Sequence, residues 1–320
     1  MTAAIVALGG GHGLYNSLTA LRELTSDLTA IVTVADDGGS SGRLRSEMGI
    51  VPPGDLRMAL SALCADSEWG RTWRDVLQWR FTTDGPLDGH AVGNLLIAAL
   101  WDRDGDVVGG LDLVASLLQA QGRVLPLADE PLTVRAVIDG PEGRKEIQGQ
   151  AAVATTAGTV VSLSLEPAQP HVPDETLAAI SAADVIVLGP GSWHTSVMTH
   201  FAVAPVADAL VANAHKCILV LNVGDSDREM EGLGRADEVR ALRDAAPDFQ
   251  PAVALVESAH GDDLDLRSEL DTWGVALRVA PLTAGDEVFA HDPAALRRVF
   301  ARIIAEWELG VRGPSSTMAG

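Results

Sequence analysis

Ile31-Val-Thr-Val-Ala-Asp36-Asp37-Gly38-Gly39-Ser40-Ser41-Gly42-Arg43-Leu-Arg45 changes character at one residue. Up to Ala35 it is β-branched and apolar, the pattern of a buried strand. From Asp36 onward it carries two carboxylates, a glycine-serine run and two guanidiniums. Such groups are costly in a core. They suit a strand end that faces a phosphorylated ligand, with or without a divalent metal.

Upstream, Ala3 to Leu8 is a short apolar run that stops at Gly9-Gly10-Gly11-His12-Gly13. Leu14, Leu18, Leu21 and Leu24 then recur at helical spacing. The segment reads as strand, glycine turn, helix, and the helix start offers free N–H groups and partial positive charge to an anion. A second strand, Leu28 to Ala35, completes a right-handed βαβ unit and implies a parallel sheet. Gly9-x-Gly11-x-x-Leu14 lacks the third glycine of a dinucleotide fingerprint, although Asp36 stands where an acid would take a ribose. In a dehydrogenase that acid ends the motif; here it opens a polar loop that runs to Arg45.

Downstream, Pro53-Gly-Asp55-Leu-Arg57 places Asp55 as a helix N-cap. Trp69, Trp73, Val76, Leu77 and Phe81 are spaced like a packed helical face. In Gly89-His90-Ala-Val-Gly93-Asn94-Leu95, His90 and Asn94 lie four apart, on one face of a helix. They read as a capping pair in the core or as pocket residues between two close-packing glycines. Val124 to Glu166 alternates around the turn signal Asp139-Gly140, so a small antiparallel β insert is expected there. Strand character returns at Asp184–Leu188, ahead of Gly189-Pro190-Gly191-Ser192. Further strands are expected at Cys217–Leu221, Ala252–Val256 and Val275–Val279, and a last helix over Pro293–Trp307.

The expected fold is α/β: a doubly wound, mainly parallel Rossmann-like sheet with helices on both faces and the β insert at about 124–166. Residues 1–320 read as one domain, with a frayed tail at 313–320. Gly9–Gly13, Asp36–Arg45 and Gly189–Ser192 each follow a parallel strand. The topology therefore brings them to one sheet edge, where ligands bind in such folds.

The formal net charge of −21 over 320 residues argues against nucleic acid and anionic membranes as partners. Any anion site must be local. Cys64 and Cys217 lie far apart in apolar patterns and read as buried thiols. With no apolar run of membrane-span length, the expectation is a cytoplasmic protein without membrane insertion, and a homodimer is the expected assembly.

The Gly9–Gly13 turn reads as a phosphate contact, with His12 as a polar lining residue. Asp36 and Asp37 read as a ribose contact plus a metal contact, for which Mg2+ is the candidate, or an acceptor contact. Turn or capping roles are the alternative. Ser40 and Ser41 bond either a phosphate or their own loop, and one of Arg43 and Arg45 is expected to face a phosphate. Ser192 lacks the Gly-x-Ser-x-Gly context of a nucleophile elbow and an assignable His-acid pair, so a backbone anion nest is the better reading. No catalytic set emerges, and the expectation is a binding protein rather than an enzyme.

Gly9-Gly-Gly-His-Gly-Leu14, Thr33 to Arg45, Pro53 to Arg57, Gly89 to Leu95, and Gly189-Pro-Gly-Ser192 with Thr195-Ser196 together resemble the YvcK/CofD superfamily, most closely its YvcK branch, the gluconeogenesis factors. The resemblance runs from Ile5 to about Val256. It implies a Rossmann-like fold whose nucleotide site takes Leu14, Gly38, Gly39, Asp55, Arg57, His90, Asn94, Pro190, Thr195, Ser196 and Asn222 beside the residues above. The YvcK branch implies a cytoplasmic bacterial UDP-sugar-binding regulator of cell shape and wall synthesis on gluconeogenic carbon sources. The CofD branch implies metal-dependent transfer of a phospholactyl-type group from a guanosine diphosphate donor to a deazaflavin precursor. An NAD-binding oxidoreductase is a third reading, resting only on Gly9-x-Gly11 and Asp36. The chain departs from the family pattern at His12, at His194, at Ser226 with Arg228-Glu229-Met230, and at Glu238, changes that cluster on one side of the expected pocket.

Overall fold

The computed structural model describes residues 3–141, 143–156, 158–224, 233–283 and 290–310. Its strands are β1 (Ile5–Gly9), β2 (Leu28–Val32), β3 (Arg123–Pro126), β4 (Thr133–Gly140), β5 (Gly143–Gln148), β6 (Thr159–Glu166), β7 (Val185–Leu188), β8 (Cys217–Val220), β9 (Val253–Glu257) and β10 (Ala276–Ala280). Seven of them form one sheet in the order β10-β9-β8-β7-β1-β2-β3, and every pairing in it is parallel. β1, β7, β8 and β9 are buried along their whole length, as helices on both faces require. From β1 the chain winds outward through β2 and β3, then returns to β7 on the other side of β1 and winds the opposite way. The order reverses between β1 and β7, and the crevice at that point opens above the C-terminal strand ends.

The three remaining strands form an antiparallel sheet, β5-β4-β6, with a register irregularity between Val137 and Ile138. Val134, Ala136 and Ile138 of β4 face inward, while β5 and most of β6 stand in solvent. Alternation from Val124 onward suggests that the insert begins there. In the fold, Arg123–Pro126 instead joins the main sheet beside β2, because a four-residue buried strand carries no alternation of its own. The insert proper starts with β4.

Three local expectations change. The strand before Asp36 ends at Val32, although Thr33 still donates its N–H to Gly9 O at 3.0 Å and Val34 O accepts from Leu132 N at 3.2 Å. The polar loop to Arg45 is a helix: Gly39–Met48, with Gly38 as its N-cap and a Gly42 N–H to Gly38 O bond of 2.8 Å. The tryptophan-bearing helix, Glu68–Gln78, buries Gly70 and Leu77 but leaves Trp69 49% exposed, with Trp79 just beyond it 64% exposed. Cys64 and Cys217 are free and buried. Among the described residues no single helix is long and apolar enough to cross a membrane.

Candidate functional site

A cavity of about 340 Å³ lies at the crevice between β1 and β7. Gly10, Gly11, His12, Gly13 and Asn16 line it from the start of the helix Gly11–Leu21. Pro190, Gly191, Ser192 and Ser196 line it from the turn after β7. The helix follows β1 with only Gly10 between, so its first N–H groups point into the crevice, where an anion would meet them. Gly11 holds φ at +56°, a conformation that disfavours a side chain, and nothing lies within 4 Å of where its Cβ would be. Gly13 has another role. A Cβ there would sit 2.0 Å from the Pro190 carbonyl oxygen, so its missing side chain lets the two turns touch. Asn222, just past β8, secures the second turn from behind. Its Oδ1 accepts from Gly191 N at 3.1 Å and its Nδ2 donates to Gly191 O at 2.9 Å.

Two carboxylates share the cavity, Asp36 and Asp55. Asp36 accepts from Gly38 N at 2.9 Å and from the Ser41 hydroxyl, and burial raises its carboxyl above the usual range. Asp55 is not the N-cap of its helix, Gly54–Leu63; Pro53 holds that position and the Asp55 side chain turns to the Gly11 N–H instead. Burial, then the Asp36 charge, pushes the Asp55 carboxyl up to about 7. The neighbouring Asp37 leaves the cavity, accepting from Ala151 N of the insert at 2.9 Å. The adjacent acids of the sequence therefore part company, and the carboxylates that share the cavity are Asp36 and Asp55. Among the described residues no group of three or more His, Cys, Asp or Glu side chains could hold a metal. A cation there would need oxygens from the ligand to complete its shell.

The arginines expected at phosphate lie elsewhere. Arg43 donates to the carbonyls of Pro86 at 3.2 Å and Asp88 at 2.6 Å. Arg45 donates to Thr133 Oγ1 at 2.5 Å. Arg57 is buried, donating to Asn94 Oδ1 at 2.9 Å and to Gln78 Oε1. Ser40 Oγ accepts from Asn94 Nδ2 at 3.0 Å and from Ala91 N at 3.3 Å, which leaves its proton for His90 Nδ1 at 3.0 Å. Ser40, Ser41, Arg57, His90 and Asn94 thus form a buried polar network behind Asp36, and Leu14 and Thr195 are also buried. Gly9 and Gly189 stand at strand ends, and Gly38 and Gly39 begin a helix. No lysine or arginine lines the cavity among the described residues.

Five lining residues escaped the sequence reading: Asn16, Gln150, Val223, Ala290 and His291. Asn16 lies four residues after His12 on one helix, so helical spacing could have found it. Gln150 and His291 arrive through tertiary folding and carry no local signal. His291 donates from Nε2 to Leu221 O at 3.1 Å and its own carbonyl accepts from Asn16 Nδ2 at 3.0 Å. Burial lowers its imidazole to about 4, so it is neutral at physiological pH. Ser226–Met230 and the tail 313–320 lie outside the described residues.

The family model described as "2-phospho-L-lactate transferase CofD" matches residues 5–305. A Mycobacterium tuberculosis protein named "Putative gluconeogenesis factor" is 42% identical over 327 aligned positions, which cover 98% of this chain and 94% of that one. The "Gluconeogenesis factor" of Bacillus subtilis is 32% identical over 318 positions, 94% of this chain and 98% of that one. A crystal structure of a Bacillus halodurans protein, described as a member of the upf0052 family, has a TM-score of 0.83 at 29% identity and covers 93% of this chain and 98% of that chain.

Proposed function

This chain belongs to the CofD family, and we propose that within it the protein is a cytoplasmic regulator of the gluconeogenesis-factor kind that binds a nucleoside-diphosphate sugar such as a UDP-sugar. Its output would be on cell shape and cell-wall synthesis during growth on gluconeogenic carbon sources, as the family resemblance implies.

The observation that carries the reading is the cavity itself. Two backbone turns meet at the switch point of the sheet, and two carboxylates stand beside them with no lysine or arginine in the described lining. The helix start favours the diphosphate, while the carboxylates repel it. A divalent cation reconciles the two. Asp36 and Asp55 would hold it, and its charge would offset both the buried carboxylates and the diphosphate. Both carboxyls are raised by burial, which fits a pair built for a cation.

Calorimetry with UDP-N-acetylglucosamine tests the proposal. Binding is expected in Mg2+, with at least about tenfold weaker binding in EDTA. No heat at millimolar ligand from the folded protein in Mg2+ would overturn it. A second reading is a CofD-type transferase, favoured by the family's description and by the Asp36–Asp55 pair. Metal-dependent turnover of a guanosine diphospho-lactate donor with a deazaflavin acceptor would establish it instead. The NAD-binding oxidoreductase reading rests only on Gly9-x-Gly11 and Asp36 and ranks last.

A further inference from the structure

The insert that carries the antiparallel sheet contributes one residue to the cavity among those described, Gln150, from the short helix after β5. Several features deliver it there. Gly149 donates its N–H to Val134 O at 2.8 Å, which anchors the end of β5 to the start of β4. Gly149 holds φ at +99°, and a Cβ on it would lie 2.4 Å from Asp37 Oδ2. The chain can therefore turn sharply against the carboxylate only with glycine at this position. Asp37 Oδ1 then accepts the Ala151 N–H at 2.9 Å, fixing the first turn of the short helix Gln150–Thr155. A second tie, Arg45 to Thr133 Oγ1, holds the base of β4 to the main domain. Asp36 and Asp37 are consecutive, so the residue that faces the cavity and the residue that clasps the insert share one peptide unit.

The two other side-chain amides of the described lining are engaged, wholly at Asn222 and in part at Asn16. Asn222 spends both ends of its carboxamide on Gly191, and Asn16 donates to His291 O. The Gln150 carboxamide makes no hydrogen bond to a described residue, so it can both donate and accept toward a ligand. The cavity also carries apolar lining beside Asn222 and His291. Val223 and Ala290 give apolar surface on the β8 side, which suits the flat face of a base, whereas Gln150 belongs with Asp36 on the β2 side.

We infer that the β insert is the specificity element of this site: Gln150, at the start of its short helix, reads the hydroxyl-bearing sugar of the ligand, and Asp37 is the positioning residue that aims it. The inference rests on the proposed nucleoside-diphosphate-sugar reading of the cavity. It makes the sugar end dependent on the insert and leaves the nucleoside diphosphate to the glycine turns, Asp36 and Asp55.

The test is calorimetry in Mg2+ with UDP-N-acetylglucosamine and with UDP, on wild type, Gln150→Ala, Asp37→Ala and Asp37→Asn. Melting curves establish that each variant is folded. Loss of one neutral hydrogen bond predicts a decrease of about three- to tenfold in affinity for the UDP-sugar in Gln150→Ala, with UDP changed by less than about twofold. Asp37→Ala should show the same split. Asp37→Asn keeps an oxygen for the Ala151 N–H and should retain the sugar preference, a rescue that a merely structural role would not produce. Equal losses for both ligands, or none, in Gln150→Ala would overturn the inference while leaving the nucleotide reading intact. Loss of the preference in Asp37→Asn as well would overturn the positioning role. Wild type that binds neither ligand would overturn both the site reading and the inference drawn from it.

Discussion

Asp36 and Asp55 face one cavity from two different elements, and the Asp36 charge adds to burial in holding the Asp55 carboxyl up at about 7. They reach the same space because Asp55 turns away from capping its own helix and toward the Gly11 N–H. The site thereby concentrates negative charge where a diphosphate would lie, a burden that makes sense if a cation is part of the bound state.

Replacing Asp55 should therefore stabilise the ligand-free protein. In the unfolded chain this carboxyl ionises at its ordinary value near 4, whereas the folded protein keeps the proton up to about 7. Between those values the folded state binds more protons than the unfolded one, so the Asp55 contribution to stability falls as pH rises and levels off above 7. Asp55→Asn should flatten that slope and raise stability at pH 8 by up to about 4 kcal/mol in EDTA. It should also abolish Mg2+-dependent ligand binding. Urea unfolding between pH 4.5 and 8 checks this, and a variant less stable than wild type at pH 8 would contradict it.

The parts of this molecule that were legible in the sequence are those whose cause is local. A glycine run between an apolar strand and a leucine-spaced helix can be little else than a strand-to-helix turn, and the parallel doubly wound sheet follows from repeating that unit. The fate of charged side chains was less legible, because it is decided by partners that arrive from afar. Asp37 and Asp36 look equivalent in sequence, yet Ala151 claims one of them. Arg43 and Arg45 look free to meet phosphate, but the Pro86 and Asp88 carbonyls hold the first while Thr133 Oγ1 holds the second. Glycine and serine after Asp36 suggest a loop, and the helix starting at Gly39 gains its support from Asn94 and Ala91 bonded to Ser40.

Acid should destabilise the fold through three buried histidines. Burial lowers His194, His200 and His291 from an ordinary 6.5 to about 4. Their depressed values mean that the unfolded chain takes up protons first as pH falls. The stability they sustain is complete above about 6.5 and is lost progressively down to about 4, on the order of 3 kcal/mol for each at most. This slope opposes that of Asp55 and outweighs it. His291→Gln keeps a donor for Leu221 O without the titration, so it should shift the acid unfolding midpoint to lower pH. An unchanged midpoint would argue against the neutral buried imidazole.

Asn222 should tolerate no isosteric acid. Aspartate could still accept from Gly191 N, but it could not donate to Gly191 O, and it would lie against Glu238 Oε1, which is 3.4 Å from the present Nδ2. Asn222→Asp is expected to lose about 1–3 kcal/mol in urea unfolding at neutral pH, with part of that recovered in acid as carboxylates protonate. A variant equal to wild type at neutral pH would show that the Gly191 turn holds its shape unaided.

The last prediction separates two glycines that the sequence presents as alike. Gly11 and Gly13 both border the cavity, but a methyl group would meet different obstacles at the two positions. At Gly11 it would enter open space and cost only the left-handed backbone, roughly 1–2 kcal/mol. At Gly13 it would be driven to within 2.0 Å of the Pro190 carbonyl oxygen, a backbone atom that cannot swing aside. Something must shift, and the only yielding parts are the helix start and the turn after β7, the two surfaces that define the cavity. Gly13→Ala should thus cost about 1–3 kcal/mol or more in stability and should also weaken ligand binding in the protein that remains folded. Gly11→Ala, with its neighbours unmoved, should weaken binding only so far as the methyl group itself occupies ligand space. Unfolding and calorimetry on the two variants would measure the contrast. If Gly13→Ala matched Gly11→Ala in both, the close approach of the helix start to Pro190 would not be what sets the shape of the site.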